Sequence, residues 1–184
     1  ENVKKGNEKV LEARLADALF FFKEDRKKAL VDYRPQLDTV VFQEKLGTLL
    51  DKSERLYKLA GKIADEIDAG IKKDLLERAD LVTSMVFEFD ELQGYMGMEY
   101  SKLDKEDPIV SEAIYEHYMP RFSGDEIPQS AEGAILSIVD KIDTIAGFFA
   151  IGIQPTGSAD PFALRRQCLG ILTILLEKNI ELDI

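Results

Sequence analysis

The chain has no tryptophan, one cysteine (Cys168) and one histidine (His117) among its 184 residues. A lone cysteine excludes an intramolecular disulfide, which is compatible with a reducing, cytoplasmic setting. Cys168 lies in an apolar helical run and reads as a small buried hydrophobe rather than a nucleophile. Long hydrophobic runs are also missing. The longest, around Ile145 to Ile153 and Leu169 to Leu176, fall well short of the roughly 20 residues that span a bilayer. They read as buried helix, and no membrane partner is expected. Positive charge is scarce, with a net charge of −11. Nucleic-acid coats are normally basic because affinity comes largely from neutralising phosphates. The acidic balance excludes a general RNA-coating surface and leaves room for one local basic patch. Low-complexity tracts, repeats and a linker are lacking. The first residue is Glu1, with no basic-then-apolar leader after it, so the expectation is a trimmed segment of a longer protein without a secretory signal.

What is present is a pattern of helices. Hydrophobic residues make up 45% and charged residues 32%, which suits one compact domain with a core. From about Asn7 to Lys28, Leu11, Leu15, Ala18, Leu19 and Phe22 recur at spacings of three and four and predict a buried face. A second helix is predicted from Asp38 or Thr39 through Phe42, Leu46, Leu49 and Leu50, continuing past Leu56, Leu59 and Ile63, with Gly47 and Gly61 weakening it. A third runs from Ala69 through Leu75, Leu76, Ala79, Val82, Met85, Val86 and Phe89 to a break at Gly94 and Gly97. Asp107-Pro108 is a cap-then-proline helix start, and Pro120 ends that helix. Ser130 caps a long apolar helix through Ile135, Ile138, Val139, Ile142, Ile145 and Phe149. Asp160-Pro161 repeats the capped start, for a last helix to about Lys178. No strand is predicted. The expectation is an all-α fold, a single helical bundle of six or seven helices over residues 1–184.

Six segments, in order, resemble the beta subunit of bacterial glycyl-tRNA synthetase. They are ARLADALFFFKEDRK (Ala13 to Lys27), VVFQEKLGTLLDKSERL (Val40 to Leu56), ADLVTSMVFEFDELQGYMGMEY (Ala79 to Tyr100), EHYMPRFSGDEIP (Glu116 to Pro128), DKIDTIAGFFAIG (Asp140 to Gly152) and PTGSADPFALRR (Pro155 to Arg166). The resemblance implies a piece of a glycine–tRNA ligase, which uses ATP and Mg²⁺ to attach glycine to its tRNA. The implied partners are the alpha subunit, which carries the aminoacylation site, in an alpha2-beta2 tetramer, and glycine tRNA. This stretch corresponds to the central helical region of the beta subunit. The amino-terminal part and the anticodon-binding domain are expected to lie outside it. No catalytic residue and no cofactor of its own are expected here.

The same region resembles an HD-type phosphohydrolase bundle. Such proteins hold one or two divalent metals with a His, a His-Asp pair and a later Asp, and the ion activates water. ILSIVDKIDTIAG is similar to the closing motif and puts Asp140 at the last ligand position. YEHYMPR puts His117 on a helix that carries accessory histidines. The doublet falls near Phe89-Asp90 and the first His near Asp51-Lys52. Phe binds no metal, and Lys repels one. The resemblance therefore implies vestigial positions at Asp140, His117 and Asp90, with no metal site and no phosphohydrolase activity.

The individual residues also have plainer readings. His117 is read as a hydrogen-bonded helix histidine near the surface, beside a core Tyr118. Asp140 and Asp143 sit three apart on one helix face, and Asp140 is expected to pair with Arg121 or Arg165. Arg165 and Arg166 point about 100° apart: one is expected to pack inward with a carboxylate, the other to meet a tRNA phosphate. Arg121, Arg165 and Arg166 are thus the candidate tRNA contacts. PTGSADP is read as a capped turn, because Asp160 would occupy the amides that a phosphate needs. Phe20, Phe21 and Phe22 cannot all face one core, so one is expected to be exposed or to meet another part of the protein. The alternatives are a structural helical spacer and a metal-dependent phosphohydrolase.

Overall fold

The computed structural model describes residues 2–66, 79–157 and 159–182. Among them are seven α-helices: α1 (Asn2–Asp25), α2 (Leu49–Glu66), α3 (Ser84–Glu88), α4 (Tyr95–Leu103), α5 (Pro108–Glu116), α6 (Ala131–Ala150) and α7 (Leu164–Lys178). Short 3₁₀ segments cover Leu30–Thr39, Ala79–Val82 and Asp90–Leu92. The all-α expectation holds for these residues. The predicted helix from Ala69 lies outside the described residues as far as position 78. From Ala79 onward its sequence forms a 3₁₀ turn followed by α3.

One strand pair corrects the sequence reading. Val41–Gln43 (β1) and Gly47–Thr48 (β2) form a small antiparallel hairpin where helix was expected. The β-branched pair Val40-Val41 favours extended backbone. Gly47 has φ +86°, and a Cβ there would run into the Asp51 carboxylate. α2 then starts late, with reciprocal capping. The Thr48 amide donates to Asp51 Oδ2 at 2.8 Å, and the Asp51 amide donates to Thr48 Oγ1 at 3.2 Å. This pairing satisfies two otherwise free amides, and the amide hydrogen bond from Thr48 holds the Asp51 carboxyl below its usual range.

Buried side chains gather in two regions. The first is built from Leu30, Tyr33, Met85, Val86, Phe89, Met96, Tyr100 and Ile114, with Phe21 and Phe22 packed against it from the end of α1. The second joins α2, α6 and α7 through Leu56, Ile135, Val139, Ala134, Ile138, Ile171 and Ile174. α5 packs on both α4 and α6 and so links the two. Glu116 at the end of α5 ties this link. It accepts the Gln129 and Ser130 amides at 2.8 and 3.0 Å and the Ser130 hydroxyl. Ser130 caps α6 by accepting the Gly133 amide at 2.9 Å, as its sequence position suggests. Asp107 likewise caps α5 through the Ile109 amide at 3.0 Å.

The predicted burial of α1 fails along most of its length. Leu11, Leu15 and Leu19 are 62%, 70% and 54% exposed, and only Ala18, Phe21 and Phe22 pack. Phe20 is exposed, as the triple-Phe argument requires. Along α7 the buried side chains are Leu164, Ile171 and Ile174, whereas Leu169, Leu172 and Leu176 are exposed. Cys168 is also exposed, contrary to expectation. Apolar residues surround it in sequence, but it lies off the face that α7 turns toward α6. No helix among the described residues is long and apolar enough to cross a membrane.

Candidate functional site

α2 and α6 pack side by side and enclose a charged cluster. Lys52, on α2, is 1% exposed. Its ammonium lies 3.1 Å from Asp140 Oδ1 and 3.1 Å from Asp143 Oδ2 on α6. It also donates to Thr144 Oγ1 at 2.7 Å and sits 4.4 Å from the centre of the Phe42 ring. The three-residue spacing of Asp140 and Asp143 does put both on one face, as expected. Arg55 completes the cluster, with Nε 2.7 Å from Asp143 Oδ1 and Nη2 3.1 Å from Oδ2. Two bonds from one guanidinium to one carboxylate make a strong, directional pair.

Asp140 therefore pairs with Lys52, not with Arg121 or Arg165. Those arginines have other partners. Arg121 is held by Asp125, with Nε 2.9 Å from Oδ2, and this bond keeps the Asp125 carboxyl below its usual range. Arg165 donates to the Thr156 carbonyl, and both adjacent arginines are exposed, so among the described residues neither packs inward on a carboxylate. Asp160 caps α7, but later than its sequence position suggests. It accepts the Leu164 and Arg165 amides at 2.8 and 2.9 Å, and Ala163, in the left-handed region, turns the chain after Pro161. The Arg165 amide bond holds the Asp160 carboxyl low. Asp160 thus fills the helix start, as the capped-turn reading requires.

Beside the Lys52 cluster lies a cavity of about 380 Å³. Asp140, His117, Arg121 and Arg166 all line it, so four sequence-predicted positions meet there. Asp90 and Arg165 are not part of its lining. Asp90 is exposed at the start of a 3₁₀ turn in the other half, next to the buried Phe89. His117 is buried, at 2% exposure, rather than near the surface. Its Nδ1 lies 3.3 Å from the Ala113 carbonyl and its ring packs 3.8 Å from that of Tyr118. Tyr118 is half-buried and lines the cavity.

Sequence reasoning missed Lys141. It is 5% exposed and donates to Ser137 Oγ at 2.6 Å and the Met119 carbonyl at 2.9 Å. Gly170 leaves room for its aliphatic stem, since a Cβ there would lie 3.2 Å from Lys141 Cε. No local pattern marks it, because a lysine in a helix is ordinarily a surface residue. The lining carries four cations, Lys52, Arg121, Lys141 and Arg166, against one carboxylate, Asp140. An acidic chain thus gathers four cations at one hollow, with Asp125, Asp143 and Asp160 facing three of them from outside the lining.

A divalent metal does not fit here. An ammonium 3.1 Å from both carboxylates occupies the space that an ion would need and repels it. Among the described residues, no group of three or more His, Cys, Asp or Glu side chains is placed to hold a metal.

The family profile described as glycyl-tRNA synthetase beta subunit matches residues 1–184. The chain belongs to that family. It is 60% identical over 190 residues to the glycine–tRNA ligase beta subunit of Clostridioides difficile strain 630, covering 100% of this chain and 28% of that protein. It is 54% identical over 183 residues to the one of Haemophilus influenzae strain PittEE, covering 97% of this chain and 27% of that one. It is also 54% identical over 187 residues to the one of Syntrophus aciditrophicus strain SB, covering 99% of this chain and 27% of that one. The chain thus spans under a third of the length of these beta subunits. The ordered segments from Ala13 to Arg166 resemble the family because they belong to it.

Proposed function

We propose that this chain is a tRNA-positioning region of a glycine–tRNA ligase beta subunit. The active enzyme attaches glycine to its tRNA with ATP and Mg²⁺, working with an alpha subunit in an alpha2-beta2 assembly in the cytoplasm. On this reading the region itself performs no chemistry and binds no metal or cofactor. The observation that carries it is the positive hollow, with Arg121 and Arg166 at its exposed edge, in a chain of net charge −11. The Arg166 side chain faces the Asp160 carboxylate without hydrogen-bonding to it, so its guanidinium keeps its donors for a phosphate.

The HD-like cluster is then a metal site converted to a structural one. Lys52 stands between Asp140 and Asp143, which disfavours metal-dependent phosphohydrolysis. A structural spacer is the second reading, and the exposed stripe Leu11, Leu15 and Leu19 favours it. The two separate in the whole alpha–beta enzyme. With Arg166→Ala, tRNA positioning predicts a rise of about three- to tenfold in KM for tRNA, as loss of one charge-assisted phosphate contact implies. The parameters for glycine and ATP stay unchanged. Arg165→Ala, removing a side chain tied to Thr156, has the smaller effect. Unchanged tRNA affinity and charging in folded Arg121→Ala and Arg166→Ala enzymes favours the spacer and defeats the positioning role.

A further inference from the structure

α7 is apolar on both sides. Ile171 and Ile174 pack on Ala134 and Ile138 of α6, while Leu169, Leu172 and Leu176 are 63%, 48% and 76% exposed on the other side. At about 100° per residue these three leucines fall within an arc of roughly 60°. Their spacings of three and four make a seam against which a second helix can pack. No charged residue occurs from Gln167 to Leu176. The charges of α7 stand at its two ends, Arg165 and Arg166 before this stretch and Glu177 and Lys178 after it. The Thr173 hydroxyl, beside the seam, donates back to the Leu169 carbonyl at 2.9 Å, so its proton needs no water.

α1 carries a stripe of a different kind. Its exposed Leu11 and Leu15 share their side of the helix with Lys4 and Glu8, which pair at 3.8 Å. A helix that faces water carries such charges on its outer face, whereas one that is apolar all round belongs to an interior. The outer side of α7 has the composition of an interior face.

Chemistry and size narrow what covers it. RNA binding draws on cations, and the seam has none. A separate chain, whether a second copy or another subunit, needs roughly 800 Å² per partner for a stable interface. The uncharged stretch is a strip about 15 Å long and about 10 Å wide, on the order of 150 Å². A segment of the same polypeptide needs no such area, because the covalent tether supplies a high effective concentration. The chain covers 28% and 27% of the Clostridioides difficile and Haemophilus influenzae beta subunits, so more than two thirds of each polypeptide lies outside the part it matches.

We propose that the outer seam of α7, formed by Leu169, Leu172 and Leu176, is covered by a helix from the remainder of the same beta subunit, docked along α7 through an uncharged aliphatic face of its own. α7 is then shared between two packing units: one side closes on α6, and the other holds a further part of the polypeptide. Cys168, one turn before Leu172, sits at the edge of this interface. The inference rests on membership of the beta-subunit family and not on tRNA positioning.

The test is maleimide labelling of the full-length beta subunit with Leu172→Cys, read peptide by peptide in a mass spectrometer. The native Cys168 is followed in the unsubstituted protein, so the readout survives a variant that fails to fold. Each rate is compared with the rate in urea, and with the rates at higher protein concentration and after adding alpha subunit or glycine tRNA. The thiol introduced at position 172 is expected to react about tenfold or more slowly in the folded beta subunit than in urea. Cys168 is slowed in the same direction but less, as an edge position. Neither rate changes with protein concentration or with the added partners. Labelling of both thiols as fast as in urea leaves the seam open and overturns the proposal. Protection that appears only with alpha subunit, only with tRNA, or only as the beta concentration rises assigns the seam to another subunit, to RNA or to a second copy, and overturns it as well. The decisive rates are measured without tRNA, so their failure leaves tRNA positioning untouched. An unchanged KM for tRNA in Arg166→Ala likewise leaves this inference untouched.

Discussion

Asp25 and Lys52 are both charged and both almost sealed from solvent, at 2% and 1% exposure, yet they are satisfied in different ways. Asp25, at the end of α1, accepts the Ser84 and Met85 amides at 2.8 Å each and the Tyr100 hydroxyl at 2.9 Å. Its donors are neutral, and two of them are the free amides that begin α3, where a helix end favours negative charge. Burial and the adjacent Asp25 carboxylate push the Tyr100 phenol up, so it stays a donor. Lys52 instead is held by two carboxylates, and its cluster borders a cavity with further cations around it. Buried charge alone therefore marks no site. Asp25 ends in a closed knot of hydrogen bonds that fixes α1 to α3 and α4. The Lys52 cluster balances two cations against two carboxylates and borders a hollow that Arg121, Lys141 and Arg166 also line.

The contrast can be broken or sharpened by mutation. Lys52→Met is expected to have the largest effect, about 3–5 kcal/mol of lost stability in urea unfolding, because it strands the Asp140 carboxylate and leaves Asp143 to Arg55 alone. Adding Asp140→Asn and Asp143→Asn to that variant should restore much of the loss. If it does not, the cluster stabilises through packing rather than charge balance. Asp25→Ala follows, at about 3 kcal/mol, since it leaves two helix-start amides and a buried phenol without their acceptor. It should leave the tRNA affinity of the alpha–beta enzyme unchanged, which is the sharpest form of the contrast. Ser130→Ala comes next, at about 1 kcal/mol for a lost helix cap, measured the same way.

The smallest effect is acid-dependent. Asp125 is held low chiefly by Arg121, and Asp160 chiefly by the Arg165 amide. A depressed folded value stabilises fully above the unfolded value near ~3.9 and is lost as the pH falls through the folded one. Stability should therefore drop progressively below about pH 4, and Asp125→Asn should flatten part of that slope in an acid titration followed by circular dichroism.

Much of the fold was legible because helix starts are written locally. Asp107-Pro108 and Ser130 act where the sequence puts them, and the chain is all-α apart from the hairpin among the described residues. The hairpin at Val41–Thr48 was misread because Phe42, Leu46 and Leu49 also fit a helical period. The Thr48-x-x-Asp51 capping pattern was the available signal. The exposure of α1 and of one side of α7 was not legible, because periodicity reports an apolar stripe and not whether anything covers it. At the site, Asp140, His117, Arg121 and Arg166 were visible as residue types. The pairing of Asp140 with Lys52, 88 positions away, was not, because it depends on how α2 meets α6. Lys141 gave no signal at all.

Metal analysis tests the central claim most directly: that a lysine ammonium, not a divalent ion, sits between Asp140 and Asp143. Full-length beta subunit is equilibrated with Mn²⁺, freed of unbound ion and assayed by mass spectrometry, beside Asp140→Asn and Asp143→Asn. The same metal content in wild type and both variants is the predicted result. Stoichiometric Mn²⁺ in the wild type that disappears in the variants would contradict it.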